Sequence, residues 1–393
     1  MAQGTAPVQR DLQLHLPFKM VATTGMEVQM QQNHQAEYHE SAPKKAVRQP
    51  PQSIGQYEVS TAVLCALTQE ADAVQALFDR GLTVEYARTM GDTNTYSFGV
   101  IGRHNTVLVH MPGMGTRHAA SVAAHCGATF PTITLVLIVG ICGGVPFLED
   151  GTEVLLGDVA VSEDLVIYDF GRQYPDTFVR KSGKVESARK PPSEILGFLA
   201  KLKGRSAQIV LSEKAAIYME TLREDLGSIA TYPGAQRDIL FQSEYRHKHQ
   251  DPSSCEECGL PEALLGGVCE ESRVSSCSQL NCDTAKSITR QRQKDWLQKE
   301  RAGQANYCPI LYIGRFASGD KVMKSGRDRD AIARNEGVIA FEMEGGGVWD
   351  TMPCIIIKGV CDYADSHKDK RWQGFASATA AAYMKAILEE WRK

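Results

Sequence analysis

The sequence has no stretch that approaches the roughly 20 consecutive apolar residues a helix needs to span a lipid bilayer. Its N-terminal residues also lack the apolar core of a secretory signal. Neither sign of charge is in marked excess, because 43 Lys and Arg residues stand against 47 Asp and Glu residues and the net charge is −4. A nearly neutral chain gives no electrostatic reason to expect a nucleic acid or an anionic membrane as a partner. We therefore expect a cytoplasmic protein without a nucleic-acid or membrane partner.

Residues 1–56 have no sustained period of either helix or strand and are rich in Gln, Pro and His. That composition is typical of a disordered tail or linker. No internal repeat is visible in the rest of the chain, which excludes solenoid and propeller architectures. We place one folded domain at residues 57–393.

From residue 60 onward, short apolar runs that suit buried strands alternate with segments of helical spacing. The clearest runs lie at residues 60–67, 135–139 and 355–360, and the clearest helical segments at 117–128 and 376–391. This alternation predicts an α/β fold, a single three-layer domain whose central sheet is mixed, mostly parallel and flanked by helices.

One segment, residues 232–306, breaks this rhythm. It is rich in Cys, His and Glu and has too few apolar residues for a core of its own. We interpret it as a Cys-rich insertion that forms an appendage between two halves of the domain. Its basic stretch, residues 286–303, is interpreted as a solvated helix face.

Ligands of open parallel sheets bind beyond the carboxyl ends of the strands. Glu70 follows the first buried strand at the positive end of a helix, where a carboxylate could activate water or merely stabilise its own helix. The glycine turn at residues 112–117 also precedes a helix, whose backbone amides can bind oxygen atoms. The glycine-rich segment at 139–145 either packs against a ligand or only turns the chain.

The strongest signal has two parts. In Phe341-Glu342-Met343-Glu344, two carboxylates flank a methionine at a strand end, ahead of three glycines. A carboxylate suits the vicinal hydroxyls of a ribose, and a methionine offers an apolar surface to the sugar. Further on, a buried strand leads into Asp362, which could protonate a leaving base or cap the following turn.

These segments, in this order, resemble the purine nucleoside phosphorylase/methylthioadenosine nucleosidase superfamily over residues 58–230 and 307–392. Within it, they are most similar to fungal-type purine nucleosidase domains. The specific part is the pairing of Phe-Glu-Met-Glu-Gly-Gly-Gly with Gly-Val-Cys-Asp-Tyr-Ala-Asp. The resemblance implies a nucleoside phosphorylase-like fold, a purine nucleoside as substrate, no required cofactor, and a homo-oligomer of two or more chains.

The resemblance also implies roles for individual residues. Asp362 would donate a proton toward N7 of the purine, Glu70 would orient the attacking water, and Glu344 would grip the ribose hydroxyls. The residues predicted to contact the substrate are Glu344, Met343, Glu342, Met114, Gly143, Val322, Met323 and Cys361. Lys358 stands where some relatives carry an Arg, which leaves open which base is recognised.

The choice between water and phosphate as nucleophile depends on Glu70. Phosphorolytic relatives carry a basic loop after the first strand, and an Arg and a Ser around the third glycine-rich segment. Here the first loop holds Glu70, and residues 137–141 are aliphatic apart from Gly140. A like-charge contact at roughly 3–5 Å costs several kcal/mol at an effective dielectric constant near 20, and Arg117 is the one nearby cation that could substitute.

We therefore predict a purine nucleosidase that hydrolyses inosine, adenosine or guanosine to the free base and ribose, as in purine salvage. The alternatives are a phosphate-dependent purine nucleoside phosphorylase, a methylthioadenosine-type nucleosidase, or a binding module on this fold that has lost catalysis.

Five cysteines crowd into the insertion, with His247 and His249 upstream. They are Cys255, Cys258, Cys269, Cys277 and Cys282. Their spacing matches no standard zinc finger and contains a single Cys-x-x-Cys pair. We expect a reduced, exposed loop without a metal, and zinc is the alternative.

Overall fold

The structure is a computed structural model that describes residues 52–176, 178–181, 190–260, 267–304 and 307–392. Residues 1–51, which make up most of the predicted tail, lie outside the described residues. The sheet begins at Gln52, because Gln52–Gly55 forms a strand that pairs in parallel with Leu82–Glu85. The ordered domain thus begins before the predicted boundary at residue 57.

Twelve strands are present in the described residues. They are β1 (Gln52–Gly55), β2 (Thr61–Cys65), β3 (Arg80–Glu85), β4 (Thr95–Ile101), β5 (His104–His110), β6 (Leu135–Gly144), β7 (Val159–Ile167), β8 (Gly171–Gln173), β9 (Phe178–Arg180), β10 (Leu311–Ser318), β11 (Val338–Glu342) and β12 (Cys354–Asp362).

Ten α-helices accompany them in the same residues. They are α1 (Thr68–Ala76), α2 (Thr116–Thr129), α3 (Ser193–Leu202), α4 (Arg205–Leu226), α5 (Glu256–Gly259), α6 (Glu270–Val274), α7 (Gln291–Arg301), α8 (Gly326–Glu336), α9 (Gly345–Val348) and α10 (Trp372–Glu390). None of these helices combines the length and the apolarity needed to cross a membrane.

The main sheet has the strand order β1-β3-β4-β5-β2-β6-β11-β10-β7-β12. Strand β12 also pairs in parallel with β6, so that β6, β11, β10, β7 and β12 close into a ring. Antiparallel pairs join β6 to β11 and β7 to β12, whereas β10 pairs in parallel with both β11 and β7. The predicted α/β domain with a mixed sheet and flanking helices is confirmed, and the ring is a feature that the sequence pattern did not predict.

The centre of the domain is the packing of α10 on β12. Every residue of β12 is buried, as expected for a strand covered on both faces. Gly359 is required there, because a Cβ atom at this position would lie 2.0 Å from the carbonyl oxygen of Ala376 in α10. This close contact fixes the distance between β12 and α10, and with it the position of Asp362 at the end of the strand.

The insertion is tied to the rest of the domain by a hydrogen bond from Arg290 and by an ion pair from Arg292. Arg290, which has no exposed surface, donates to Asp238 at 2.8 Å and also contacts the hydroxyl of Tyr363. Arg292 donates to the buried carboxylate of Asp158 at 2.7 Å. Helix α7 itself buries no residue, in line with a solvated face. The insertion is therefore part of the packed domain and not an appendage.

Candidate active site

One cavity of about 200 Å³ lies beyond the carboxyl ends of β2, β6, β10, β11 and β12. The structure brings all ten residues predicted for catalysis and substrate binding to its lining. They are Glu70, Met114, Gly143, Val322, Met323, Glu342, Met343, Glu344, Cys361 and Asp362. Their spacing in the sequence does not show this proximity, which follows from the pairing of the last residues of β6 with β12 in parallel and with β11 in antiparallel direction.

Glu70 lies in the first turn of α1 and is 2% exposed. Its carboxylate accepts hydrogen bonds from the backbone amides of Ala66 at 3.0 Å, Leu67 at 2.9 Å and Ile141 at 2.9 Å. Burial raises the pKa of Glu70, and the nearby ammonium of Lys358 acts in the opposite direction. The carboxylate thus stabilises the start of its helix and also lines the cavity.

Glu344 is held by an ion pair with Lys358. The Nζ atom of Lys358 lies 2.7 Å from Oε2 of Glu344 and 4.0 Å from Oε2 of Glu342. Burial alone would lower the pKa of this lysine, but the carboxylates of Glu344, Glu70 and Glu342 outweigh it and raise the pKa. Lys358 therefore lies among the three glutamates, and its ammonium takes part in their charge balance rather than in recognition of the base.

Glu342 has a different role from Glu344. Strand β11 ends at Glu342, and its carboxylate accepts the backbone amides of Glu344 at 2.9 Å and Gly345 at 2.9 Å. Its side chain has no exposed surface. Although Glu342 belongs to the cavity lining, its carboxylate holds the backbone of Glu344 in place, which makes it a positioning residue.

Asp362 ends β12 and forms an ion pair with Lys368. Oδ1 of Asp362 lies 3.0 Å from Nζ of Lys368 and accepts the amide of Ala364 at 2.8 Å. The thiol of Cys361 lies 3.4 Å from Oδ2 of Asp362, and burial raises the pKa of that thiol. Lys368 was missed by the sequence analysis, although its place six residues after Asp362 in a polar loop was a usable signal.

Two glycines of β6 lie directly against carboxylates of the site. A Cβ atom at Gly140 would lie 2.2 Å from Oε1 of Glu70, and one at Gly143 would lie 3.0 Å from Oδ1 of Asp362. Neither position has room for a side chain. Strand β6 therefore sets the positions of both carboxylates.

Apolar side chains complete the walls. Met114 and Val322 are about half exposed, at 51% and 50%, and Met343 and Met323 are partly buried. Tyr168 and Phe341, which were not predicted as site residues, pack edge to face with their ring centroids 5.5 Å apart. These surfaces suit a flat aromatic ligand.

The N-terminus of α2 carries two carboxylates. Asp320 accepts the backbone amide of Thr116 at 2.8 Å and its hydroxyl at 2.9 Å. Glu344 accepts the amide of Gly115 at 3.4 Å. Arg117 is exposed and does not line the cavity. The amides at which an anion would bind are therefore already occupied by acidic side chains.

Residues 60–248 match the family model described as the phosphorylase superfamily. This segment belongs to that superfamily. The matched segment carries Glu70, Met114 and Gly143, whereas Glu344 and Asp362 lie beyond it. The domain therefore builds its cavity from both sides of the insertion.

A nucleotide-binding leucine-rich repeat (NLR)-like protein of Hyaloscypha variabilis is 31% identical over 349 residues, which cover 87% of this chain. The chain spans about 30% of that relative's length. Two similar solved structures, each 15% identical, are futalosine hydrolase of Helicobacter pylori and S-adenosylhomocysteine nucleosidase of Streptococcus pyogenes. Their TM-scores are 0.46 and 0.47, with 85% and 86% of this chain and 99% and 98% of theirs covered.

The five cysteines of the insertion fall into two groups with histidines. One group is His247, Cys277, Cys282 and His367, and the other is His249, Cys255, Cys258 and Cys269. Cys258 and Cys269 are buried, at 1% and 9% exposure. The expectation of an exposed loop is therefore wrong, because two of these cysteines are buried, the other three are half-buried, and each group brings thiols close to a histidine.

Proposed function

We propose that this chain is a purine nucleosidase, which uses water to cleave the N-glycosidic bond of inosine, adenosine or guanosine into free base and ribose. The observation that carries the proposal is the carboxylate of Glu70, which lines the same cavity as Glu344 and Asp362. A binding protein has no need for a water-activating group and a proton donor in one cavity.

The charges around the cavity favour water over phosphate. Glu70, Glu344 and Asp320 bring negative charge to the region where a phosphate dianion would bind. Among the described residues, the lysines that line the cavity are Lys321 and Lys368, and Lys368 is paired with Asp362. A like-charge contact between a phosphate and one of these carboxylates at roughly 3–5 Å would cost several kcal/mol at an effective dielectric constant near 20.

In the proposed mechanism, Glu344 binds the ribose. One of its oxygens is held by Lys358, and the other has only a long contact of 3.4 Å with the amide of Gly115. That second oxygen is free to accept hydrogen bonds from the 2′ and 3′ hydroxyls. Glu342 fixes the backbone of Glu344, so the sugar is oriented by a rigid group.

Bond cleavage begins with the lengthening of the C1′–N9 bond, whose electron pair moves into the purine. Asp362 passes a proton from the adjacent ammonium of Lys368 to N7, so that the base leaves as a neutral molecule and Lys368 is left as the neutral amine. Positive charge builds on the ribosyl ring, and a water oriented by Glu70 adds to C1′. The proton of that water passes to the carboxylate of Glu70.

The test is product identification after incubation with inosine, adenosine and guanosine, each with and without phosphate. We expect free base and free ribose in both conditions, and a loss of this activity in Glu70→Gln. Ribose-1-phosphate formed only in the presence of phosphate would overturn the proposal in favour of phosphorolysis. Turnover of methylthioadenosine alone would overturn the substrate assignment, and nucleoside binding without any turnover would overturn catalysis.

A further inference from the structure

The first of the two histidine–cysteine groups has the dimensions of a tetrahedral metal site. Its members are His247, Cys277, Cys282 and His367. The two Nδ1 atoms of His247 and His367 lie 3.3 Å apart. The sulfur of Cys277 lies 3.6 Å from each of these nitrogens, and the sulfur of Cys282 lies 3.5 Å from Nδ1 of His247.

These distances match the edges of a zinc tetrahedron. With Zn–N of about 2.05 Å and Zn–S of about 2.3 Å, tetrahedral geometry gives edges of about 3.4 Å between two nitrogens and about 3.6 Å between nitrogen and sulfur. All four ligand atoms lie within 4.8 Å of one another. One ion at their centre would therefore be at bonding distance from each of them.

The outward nitrogens of the two histidines are both held by backbone carbonyls. Nε2 of His247 lies 2.9 Å from the carbonyl oxygen of Ser275, and Nε2 of His367 lies 3.1 Å from that of Tyr245. A carbonyl only accepts hydrogen bonds, so Nε2 of each ring is a donor and Nδ1 is the atom that faces the group. A backbone carbonyl behind each ring is the usual support of a metal-binding histidine.

The second group, His249, Cys255, Cys258 and Cys269, has the same character. Its four ligand atoms also lie within 4.8 Å of one another, and the sulfur of Cys269 lies 3.5 Å from Nδ1 of His249. The amide of Ser272 donates to the sulfur of Cys269 at 3.4 Å. Such amide–sulfur hydrogen bonds support a thiolate ligand.

We propose that the insertion binds two structural zinc ions, one in each of these groups. Imidazole and thiolate are the ligands that zinc prefers, and four protein ligands form the closed coordination of a structural site. The basis is the convergence of four ligand atoms within 4.8 Å in each of two places, with separations close to tetrahedral edges in the first.

The two sites are nested along the chain. The ligands of the second site, residues 249–269, lie wholly between those of the first, which begins at His247 and is completed by His367. No regular spacing reveals this arrangement, because His367 belongs to the loop after β12 and not to the insertion. The first zinc ion would therefore tie the insertion to the loop that carries Lys368.

The test measures the zinc content of the intact chain by mass spectrometry after purification without added metal. We expect about two zinc ions per chain in the wild type, about one in His367→Ala and about one in Cys258→Ser. The matched control is Cys308→Ser, because Cys308 is an exposed cysteine outside both groups and should leave the zinc content unchanged.

A second measurement keeps the proposal testable if a variant fails to fold. Blocking the thiols of the wild-type protein with a mercurial should release both zinc ions to a chromogenic chelator. Hydrogen exchange of residues 362–371 should lose protection in His367→Ala and keep it in Cys258→Ser. Zinc far below one per chain in the folded wild type, or equal zinc in all variants, would overturn the proposal whatever the activity on nucleosides proves to be.

Discussion

Lys358 is a single buried ammonium among three carboxylates. If Glu70, Glu342 and Glu344 are all ionised, the group carries an excess of negative charge beside the expected position of the sugar. Burial raises the pKa of Glu70 and of Glu342, because removing a carboxylate from water disfavours its charged form. An enzyme that builds positive charge on a ribosyl ring gains from fixed negative charge nearby, because the interaction strengthens as the transition state forms.

At the scale of one residue, Asp362→Asn tests the assignment of the proton donor. We expect kcat for nucleoside hydrolysis to fall by about 10²–10⁴, the usual contribution of a general acid, because an amide does not deliver a proton to N7. The fold should persist, which circular dichroism checks. The control is Asp164→Asn, because Asp164 pairs with Arg315 at the surface and does not line the cavity. Near wild-type kcat in Asp362→Asn would refute the role.

The residues that the sequence predicted stand out by local patterns, whereas those that it missed depend on contacts between distant segments. Glu70, Glu344 and Asp362 each lie at or just after the end of a buried strand, a local pattern that marks them as candidates, and the pairing of β6 with β2, β11 and β12 brings them together. Tyr168 follows β7 and Lys368 lies six residues after Asp362, but the contact of each with this cavity depends on tertiary packing that local patterns do not encode. The ion pair of Lys358 with Glu344 was missed for the same reason.

At the scale of the element, β6 is the strand on which the site is aligned. It pairs with β2, β11 and β12, and these are the strands that lead to Glu70, to Glu344 and to Asp362. Its glycines leave room for the carboxylates of Glu70 and Asp362 on its surface. A strand with side chains at these positions would push the carboxylates apart.

Gly140→Ala should therefore damage the site more than the fold. The new methyl group would overlap Oε1 of Glu70, 2.2 Å away, and displace the carboxylate from the amides that hold it. We expect kcat to fall at least tenfold, since small misplacements of a catalytic group are costly. Steady-state kinetics and a melting curve measure the two effects. Gly197→Ala is the control, since a Cβ there meets nothing within 4 Å and should leave kcat unchanged.

At the scale of the whole molecule, the insertion and the catalytic domain form one packed unit. Asp238 of the insertion accepts hydrogen bonds from Arg290 at 2.8 Å and from the hydroxyl of Tyr363 at 2.6 Å. Tyr363 directly follows Asp362, and its carbonyl accepts from buried Arg329 of α8 at 2.8 Å. The loop after β12 is therefore held from two sides.

Arg290→Met tests this coupling. It leaves the buried carboxylate of Asp238 without its cation, a change that typically costs about 3–5 kcal/mol. We expect a lower free energy of unfolding with a single transition in urea, followed by tryptophan fluorescence. Arg301→Met, an exposed position at the end of α7, should change stability by less than about 0.5 kcal/mol. A separate early transition in the Arg290 variant would mean that the insertion unfolds on its own.

Long-range contacts also mark the limit of prediction from the sequence at this scale. The α/β class follows from the alternation of strand and helix patterns, which is local information. The closure of the ring depends on the pairing of Cys354 with Val136, and the histidine–cysteine groups depend on His367. Both join segments that are far apart in the chain, so that no window of sequence contains the signal.

The closing strand has a consequence for biosynthesis. Because β12 is the last strand of the ring, a nascent chain has already completed β6 and β7 when the strand that will join them is still inside the ribosome. During that interval these two strands expose unpaired edges, which are prone to pair with other chains. We expect a protein shortened before residue 354 to aggregate rather than to fold, and chaperones that shield strand edges to raise the yield of the full-length chain.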